Sequence, residues 1–580
     1  MHSAPSSNAS SRLSASLPAK GGNPQGALRS ATLDDPWYYL HNVTTVLDWV
    51  ECHHADLWTA AELQRFASFR QLSRAAQALL TRLMMRTHVE FRVGSLHYPE
   101  LGTACQAALD ELVTAAWLEQ DPALDVATLG RLLRHDELYQ ACQAQGLNET
   151  LPRSATKTRW LAALQARAGG QAKPLAQWWP ATTDRVVVVP AEVQAWFRRV
   201  RLMFFGNLRQ DWSEFVITEL GHQRYAAVAF EPASRAFSSR DDVDHYLILA
   251  DLQQQLADGV ALETIWAAVP PPSANAWLAH RRSRVLLALG RQAARHEQSD
   301  LALAALEASA HPEAQVRALR LRERHDSPQE LWTRLETARA QSWPAEVASA
   351  LDRLTQRTAR RLGRSWSPPA RSEPPRRVLR LRPDGQPVEL AVARALSDSE
   401  VQSRYVENHL FPGLLALLCW PAVYAALPGA FFHPFQAGPA DLYRPDFAQR
   451  RSALLAECLA TLEQGSYHAV LRQRWHHYRG VRSALVNWAV LDLPLLELAL
   501  SCVPASVLRA VCLRLLDDLR HHSRGMPDLV RFWPEQRRFA LVEVKAPGDR
   551  LQDHQRAWLG FFQAQGVAVE VCHVEWIADA

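Results

Sequence analysis

The sequence predicts a multidomain protein that is mainly α-helical and ends in an α/β core. At 580 residues the chain is too long for a single hydrophobic core. Apolar residues recur at three- and four-residue steps over most of the chain up to about residue 362, whereas strand-like alternation is concentrated after residue 378. We therefore expect several helical domains followed by one domain that contains a mixed sheet.

Composition indicates a chain that folds almost throughout. Hydrophobic residues make up 48% and charged residues 21%, and there are 20 tryptophans. The 8 cysteines are scattered and form no CxxC pair, which favours a reducing compartment and a cytoplasmic location. No apolar run reaches the about eighteen residues that a membrane helix needs, so we expect no membrane association.

The pattern along the chain divides it into five parts. Residues 1–33 are rich in Ser, Ala, Pro and Gly and are interpreted as a disordered tail. The predicted domains are an N-terminal helical DNA-binding domain (34–122), a SAP-like DNA-binding domain (123–242), a helical domain (243–377) and the α/β domain (378–580).

In the N-terminal domain, short alternating stretches in Met84–Gly102 leave a winged-helix-like arrangement open. The next domain resembles a SAP module, a small helix-loop-helix unit associated with DNA binding, and Lys157 and Arg159 are its candidate DNA contacts. A featureless helical hairpin is the alternative. The segment 243–362 resembles degenerate tetratricopeptide repeats, and we expect it to hold the other domains in a fixed relation.

Positive charge is concentrated between Arg353 and Arg382, where ten arginines face a single acid, Glu373. Such a stripe can neutralise phosphates and give salt-dependent, sequence-independent binding. Arg376, Arg377 and Arg380 are the candidate DNA contacts in its second half. The alternative is a solvated helix face followed by a proline-rich linker.

Near the C-terminus, "RGMPDLVRF" (Arg524–Phe532) is followed by "FALVEVKAPGDR" (Phe539–Arg550). Side chains alternate faces along a strand, so Glu543 and Lys545 project from one side of the same strand. The spacing between Asp528 and Glu543 fits two antiparallel strands and a turn, which would bring the two carboxylates together. Two carboxylates suit Mg²⁺, and a lysine beside them can steer an attacking water. For an isolated motif, the simpler interpretation is a solvated strand face.

A third acid, Glu407, stands just before the strongly apolar run "HLFPGLLALLCW". Burying an acid there is costly unless a partner or a metal compensates, so we predict that Glu407 is a further metal ligand. The alternative is an exposed acid ahead of a helix. Pro412 leaves two possibilities, a helix that begins near Phe411 or a helix that kinks at the proline.

The Pro-Asp pair, the apolar-flanked ExK and the following "PGDRLQDHQRAW" resemble PD-(D/E)xK nucleases, and among them the virus-type replication-repair nuclease (VRR-NUC) domain. Together with "VENHLFPGLLALLCW", "PGAFFHPFQAGPADL" and "FFGNLRQDWSEFV", they resemble the Fanconi-associated nuclease family in its shorter bacterial form. The resemblance implies that Glu407, Asp528 and Glu543 bind metal, that Lys545 is catalytic, and that Gln555 orients the lysine or a phosphate. The sequence departs from the family at Ala546, where glycine is expected, and Gly548 can supply the loop freedom.

The resemblance also implies a structure-specific DNA nuclease that uses Mg²⁺ or Mn²⁺, cuts 5′ flaps, acts as a 5′-to-3′ exonuclease and serves in the repair of crosslinked DNA. The expected partner is branched or flap DNA, bound by a monomer or by a dimer on DNA, in a nucleoid-associated bacterial protein. "CHH" (Cys52–His54) lacks the second ligand pair of a zinc finger, so ubiquitin binding is not expected. The rival hypotheses are a Holliday-junction resolvase-like endonuclease and a catalytically quiet repair scaffold.

Overall fold

The computed structural model of the chain describes residues 35–147, 151–210, 224–341, 343, 345–367, 373–383 and 385–577. The predicted tail 1–33 lies outside these residues. The described part is mostly helical and contains one three-stranded and one five-stranded sheet. The predicted fold class, a mainly helical multidomain protein with a C-terminal α/β core, is confirmed.

The N-terminal core combines helices with a small antiparallel sheet of order β1-β3-β2. Its strands are β1 (Glu90–Arg92), β2 (Glu119–Gln120) and β3 (Val186–Val188), and its helices are α1 (Tyr38–His54), α2 (Ala60–Gln71), α3 (Arg74–Met84), α4 (Ala104–Thr114) and α9 (Ala191–Phe205). The side chains of Thr59 and Ser73 cap the N-termini of α2 and α3, as expected for hydroxyl residues at that position.

A separate small core lies between β2 and β3 and surrounds the buried rings of Trp160 and Trp178. Its helices are α5 (Val126–Leu132), α6 (His135–Ala144), α7 (Lys157–Ala168) and α8 (Leu175–Trp178). The chain then returns to the first core, because β3 completes the N-terminal sheet and the apolar face of α9 packs against α1. Residues 123–242 therefore do not share one core, contrary to the division drawn from the sequence.

The helical middle of the chain is a succession of helices whose consecutive members pack against one another. They are α10 (Arg240–Asp258), α11 (Leu262–Ala268), α12 (Ala276–Arg295), α13 (Ser299–Glu307), α14 (Pro312–His325), α15 (Pro328–Arg339) and α16 (Ala345–Arg361). Three small apolar clusters run through them instead of one central core. This arrangement is typical of a solenoid.

The C-terminal domain is built on the mixed sheet β4-β8-β7-β6-β5. The strands are β4 (Arg376–Leu381), β5 (Gln402–Tyr405), β6 (Leu529–Trp533), β7 (Arg538–Lys545) and β8 (Ala568–Trp576). β4, β8 and β7 are parallel, and β7, β6 and β5 are antiparallel. The pair of antiparallel strands predicted from the spacing of Asp528 and Glu543 is thus present as β6 and β7.

One face of this sheet is covered by α17 (Val388–Ala395), whose Val392 packs against Val542 and Val544. The other face carries a thick helical layer. Its helices are α18 (Leu410–Leu418), α19 (Trp420–Val423), α20 (Phe447–Arg450), α21 (Ser452–Glu463), α22 (Tyr467–Tyr478), α23 (Leu493–Cys502), α24 (Ala505–Asp517), α25 (Leu519–His522) and α26 (Asp553–Ala564). Pro412 lies in the first turn of α18, so the helix begins there and is not kinked by the proline.

Across the described residues, no single helix is long and apolar enough to cross a membrane, and by length and composition only the bent pair α23 and α24 might together.

The C-terminal domain is joined to the N-terminal core by an aromatic contact that we call the junction, formed by Trp49, Phe204, Gly206, Phe432 and His433. Phe432 lies in the N-terminal apolar cluster, and its carbonyl accepts a hydrogen bond from the Trp49 indole at 3.0 Å. His433 stacks on Phe204 with ring centroids 4.5 Å apart. Gly206 has φ +66, and a Cβ there would lie 2.1 Å from the Phe432 ring, so only glycine leaves room for the contact.

Candidate active site

The β6–β7 hairpin places the two motif acids side by side. Leu529 pairs with Val542, so Asp528 stands just ahead of β6 and opposite the end of β7 that carries Glu543. The backbone N–H of Val544 donates to Asp528 Oδ2 at 2.8 Å, which fixes the Asp528 carboxylate beside this strand. The hairpin thus accounts for the position of both acids, as the spacing predicts.

The turn before Asp528 is held against α26 by close packing. Gly525 has φ +78, and a Cβ at that position would lie 2.2 Å from the ring of His554. The indole N–H of the buried Trp558 donates to the carbonyls of His522 and Arg524, at 3.2 and 3.1 Å. The Pro-Asp turn therefore requires a glycine two residues before its proline.

Glu543, Lys545 and Gln555 form a buried polar network. Glu543 is 0% exposed and Lys545 is 7% exposed. The Lys545 ammonium donates to Glu543 Oε1 at 2.8 Å and to Gln555 Oε1 at 3.1 Å, and the Gln555 amide donates to Glu543 Oε1 at 2.5 Å. Gln555 also accepts a hydrogen bond from the Gln552 N–H at the start of α26. Gln555 therefore orients the lysine, while its catalytic role stays a prediction.

Glu407 is brought to Asp528 through the backbone. The N–H groups of Val406 and Glu407 donate to the Asp528 carbonyl at 2.9 and 3.2 Å. Asn408 has φ +54, and its side chain accepts a hydrogen bond from the Met526 N–H at 3.0 Å. The structure thus brings Glu407 to the motif hairpin although a long helical insertion separates the two in sequence.

The charges at this site are arranged unfavourably in the absence of a cation. Burial raises the pKa of Asp528 to about 6, and repulsion from Glu407 and Glu389 adds to the increase. The hydrogen bond from the Val544 N–H and the charge of Lys545 act in the opposite direction and lower this pKa. Burial, and then the charge of Asp528, raises the pKa of Glu543 to about 8, although Lys545 favours the charged form. A cation would relieve both effects.

One oxygen of the site has no partner. Glu543 Oε2 is buried and makes no hydrogen bond, although buried carboxylate oxygens are ordinarily satisfied. Within the described ranges, no group of three or more His, Cys, Asp or Glu side chains is arranged to hold a metal ion, so Glu407, Asp528 and Glu543 are not a preformed three-ligand site. Mg²⁺ is usually held by one or two carboxylates together with waters and substrate phosphates, so this set of donors fits a divalent cation.

Of the predicted DNA contacts, Lys157 and Arg159 lie in the separate SAP-like core, whereas Arg376 on β4 is level with Glu543 in the register of the sheet, two strands away. The Lys157 ammonium donates to the Leu133 carbonyl at the end of α5, at 2.7 Å, and Arg159 is exposed on α7. On β4, Arg376 pairs with Glu373 at 3.5 Å, Arg377 with Glu570 at 2.9 Å and Arg380 with Glu575 at 3.0 Å. Acids of β8 therefore offset much of the charge of the predicted stripe.

A different group of basic side chains, two arginines and two neutral histidines, lies where the helical middle meets the C-terminal domain. His280, Arg284 and His311 of the solenoid are close enough to Arg520 for its charge to lower their pKa values, after the larger effect of burial. Arg284 forms no hydrogen bond or ion pair with any residue of the described ranges. The sequence signal was the run "HRRSR" at 280–284, which we interpreted only as part of a helical scaffold.

A cavity of about 660 Å³ opens beside Asn408, the neighbour of Glu407, and Arg482, Arg520 and Arg524 line it. Arg520 thus belongs both to this lining and to the basic group at the boundary with the solenoid. Positive charge next to the acidic site is suited to the phosphates of a nucleic acid.

The site has the arrangement of a metal-dependent nuclease of the PD-(D/E)xK class. One acid precedes a strand of the mixed sheet, a second acid and a lysine lie on the next strand, and a helix that packs on the sheet supplies a glutamine. Family models agree: residues 462–576 match the VRR-NUC domain, residues 37–119 the FAN1 HTH domain, and residues 123–178 the Fanconi anemia-associated nuclease SAP domain. The chain is 41% identical over 558 residues to the Fanconi-associated nuclease 1 homolog of Pseudomonas aeruginosa, which covers 95% of this chain and 98% of that protein. The chain belongs to the Fanconi-associated nuclease 1 family and is a metal-dependent DNA nuclease.

Three further matches show how much of the chain is similar to known proteins. The chain is 37% identical over 191 residues to human Fanconi-associated nuclease 1, which covers 32% of this chain and 19% of the human protein. Its fold matches the crystal structure of paFAN1 bound to 2-nt 5′ flap DNA with a gap, with a TM-score of 0.83 and 41% identity over 95% of this chain and 100% of that chain. The second match is paFAN1 bound to 1-nt 5′ flap DNA with a gap, with a TM-score of 0.81 over 94% of this chain and 100% of that chain.

Proposed function

We propose that this nuclease is specific for DNA structure and cuts 5′ flaps, with 5′-to-3′ exonuclease action, in the repair of crosslinked DNA. The observation that carries the proposal is the buried site in which Asp528 and Glu543 lie beside Lys545, with Glu543 Oε2 left unpaired. The similarity to paFAN1 bound to 5′ flap DNA supports the choice of substrate.

The proposed cofactor is Mg²⁺ or Mn²⁺, held by Glu407, Asp528 and Glu543 together with waters and phosphate oxygens. When bound, the cation would polarise the scissile phosphate and lower the pKa of a coordinated water. Mg²⁺ and Mn²⁺ share the preference for oxygen ligands that this site offers.

Lys545 is placed to act on the nucleophile. Its ammonium has three N–H donors, and the hydrogen bonds to Glu543 and Gln555 occupy two of them. The third remains for the attacking water or for a non-bridging phosphate oxygen, where it offsets the negative charge that develops during the in-line displacement. Because the two bonds hold the ammonium in a fixed place, little reorganisation is needed as the reaction proceeds.

The arginines at the boundary of the solenoid and the C-terminal domain would hold the phosphates of the DNA arms near the acidic site. Arg284 and Arg520 are the central members of this group. The SAP-like segment, with Lys157 and Arg159, would contact duplex DNA farther from the site, where phosphate contacts position the DNA without sequence information. We propose that a monomer does this in the cytoplasm, close to the nucleoid, with a dimer on DNA as the alternative and without ubiquitin binding.

The proposal is tested by cleavage of end-labelled 5′ flap, 3′ flap and four-way junction DNA in Mg²⁺, Mn²⁺ or EDTA. We expect the 5′ flap to be cut fastest, only with a cation, and not by Asp528→Ala. A preference for the four-way junction would favour a resolvase. Cleavage by Asp528→Ala at the wild-type rate would show that the active site lies elsewhere.

A further inference from the structure

Of the three proposed metal ligands, Glu407 lies outside the motif hairpin and is held differently from the other two. Its backbone is fixed by the bond from its N–H to the Asp528 carbonyl, at 3.2 Å. Its side chain, in contrast, is only partly buried, and it lies close to two other carboxylates. Ordering a free glutamate side chain costs conformational entropy, and repulsion between like charges adds to that cost.

Tyr405 provides the contact that orders this side chain. The tyrosine is the last residue of β5, opposite Leu529 in the register of the sheet, and therefore sits on the strand next to the one that Asp528 precedes. Its hydroxyl donates a hydrogen bond to Glu407 Oε2. The bond engages one carboxylate oxygen and leaves the other, Oε1, for a cation.

We propose that Tyr405 is a positioning residue that holds the Glu407 carboxylate toward the cation shared with Asp528 and Glu543. The inference rests on the proposed role of Glu407 as a metal ligand and deepens it. Carboxylates that ligate metals are commonly oriented by hydrogen bonds from outside the ligand set, and loss of such a partner typically lowers metal affinity about 10- to 100-fold.

The chemistry of a phenol suits this task better than that of a basic side chain. A lysine or arginine at position 405 would neutralise Glu407 and compete with the metal for its charge. A neutral hydroxyl donates a hydrogen bond and leaves the negative charge in place. The ring of Tyr405 is 36% exposed, so removal of its hydroxyl oxygen leaves no buried cavity.

The test is Mn²⁺ binding to the DNA-free protein, measured by calorimetry and by electron paramagnetic resonance, for Tyr405→Phe and wild type. We expect the dissociation constant to rise about tenfold in the variant, as is typical when a metal ligand loses the hydrogen bond that orients it. The Mn²⁺ concentration that gives half-maximal flap cleavage should rise by the same factor, and the rate at saturating Mn²⁺ should return close to that of wild type.

The matched control is Tyr139→Phe on α6. Its hydroxyl also takes part in a side-chain hydrogen bond, from Gln143 at 2.6 Å, but far from the acidic site in the fold. Unchanged Mn²⁺ binding is expected there. Unchanged Mn²⁺ binding in Tyr405→Phe would overturn the inference, and so would a lower rate at saturating Mn²⁺ with unchanged affinity, because the phenol would then act on the substrate.

Glu407→Gln separates this inference from the proposed function. If Glu407 is a ligand, Glu407→Gln binds Mn²⁺ more weakly than wild type, and adding Tyr405→Phe to it changes nothing further. If Glu407→Gln binds Mn²⁺ as wild type does, the ligand role itself fails. A weaker Glu407→Gln together with an unaffected Tyr405→Phe would leave the proposed metal site intact and refute the positioning role alone.

Discussion

The active site and the junction both bury ionisable side chains, but they treat them in opposite ways. At the active site, Asp528 and Glu543 are buried near one another, and Glu543 Oε2 has no partner. At the junction, His433 is buried between aromatic rings, and burial lowers its pKa to about 3, so that it remains neutral. The buried histidine of the junction is therefore stable in its neutral form, whereas the buried carboxylates of the active site would be stabilised by a cation.

This difference indicates which buried groups of the protein serve function and which serve stability. Groups that the fold leaves unsatisfied cost stability, and they persist because a ligand completes them. Satisfied buried groups contribute to stability and need no ligand. The two regions should therefore respond in opposite directions to mutation and to pH.

The largest expected effect is on catalysis. Lys545→Met removes the one ammonium within reach of the unpaired oxygen and should lower the rate of flap cleavage about 10³-fold, as loss of a donor to a developing charge does. Stability should fall as well, because removing one partner of a buried ion pair leaves Glu543 without its cation. Rates at saturating metal and denaturant unfolding measure the two quantities. Lys173→Met, which loses a bond to Gln145 in the SAP-like core, should keep the wild-type rate.

A mutation in the junction should lower stability and leave the cleavage rate of the folded protein unchanged. Phe432→Ala removes a buried ring from the contact with Trp49 and Gly206, and it should lower the free energy of unfolding by about 3–5 kcal/mol. Cleavage of flap DNA per folded molecule should be retained, because the ring lies outside the acidic site. Denaturant titration measures the loss, and Phe432→Leu should lose less. Ile248→Ala, at a side chain that is 42% exposed, should stay within about 0.5 kcal/mol of wild type.

The pH dependence of the junction follows from His433. Its pKa of about 3 lies below the value of about 6.5 expected for the unfolded chain, so the unfolded state binds the extra proton. This contribution to stability is present above pH 6.5 and is lost as the pH falls toward 3, by roughly 1.4 kcal/mol per pH unit. His433→Gln should therefore flatten the loss of stability between pH 6.5 and 5, a difference of roughly 2 kcal/mol. An equal slope in the variant would show that His433 is protonated in the fold.

At the active site, the dependence of stability on pH has the opposite sign. The pKa values of about 6 for Asp528 and about 8 for Glu543 lie above those of the unfolded chain, so the metal-free fold loses stability as the pH rises from about 4 to 8. In EDTA, Asp528→Asn should raise the free energy of unfolding at pH 8 by about 1–2 kcal/mol, and have little effect at pH 4. The amide oxygen can still accept the bond from the Val544 N–H. Destabilisation at pH 8 would contradict the unfavourable burial of Asp528.

The motif hairpin could be predicted from sequence because everything that shapes it is local. Asp528 and Lys545 belong to one hairpin, where alternation and spacing determine which side chains share a face. The position of Glu407 beside Asp528 could not be obtained from spacing, because α18 to α25 intervene between them. Its assignment as a ligand came from its apolar surroundings and from family resemblance, and it stays a prediction.

Other features depend on partners that are distant in the chain. β3 closes the N-terminal sheet after the SAP-like core has been inserted, which no local pattern indicates. The space that Gly206 leaves is filled by Phe432, from another domain. Likewise, Arg377 and Arg380 find Glu570 and Glu575 on a strand 193 and 195 residues away, so a count of charge along the sequence overestimates the free charge of β4.

The smallest expected effect is on DNA binding, when an arginine without an acidic partner or one with such a partner is removed. Among the residues that the structure describes, Arg284 has no acidic partner, whereas Arg380 is paired with Glu575 at 3.0 Å. A cation that neutralises a phosphate releases a counterion, so its removal weakens binding at every sequence and reduces the salt slope by about 1. Arg284→Ala should show both changes in anisotropy titrations of flap DNA at several salt concentrations in EDTA. Arg380→Ala should show less of either, because that arginine must first give up Glu575. Equal slopes for the two variants would mean that ion pairs on β4 open freely when DNA binds, and that unpaired cations are no guide to the DNA path.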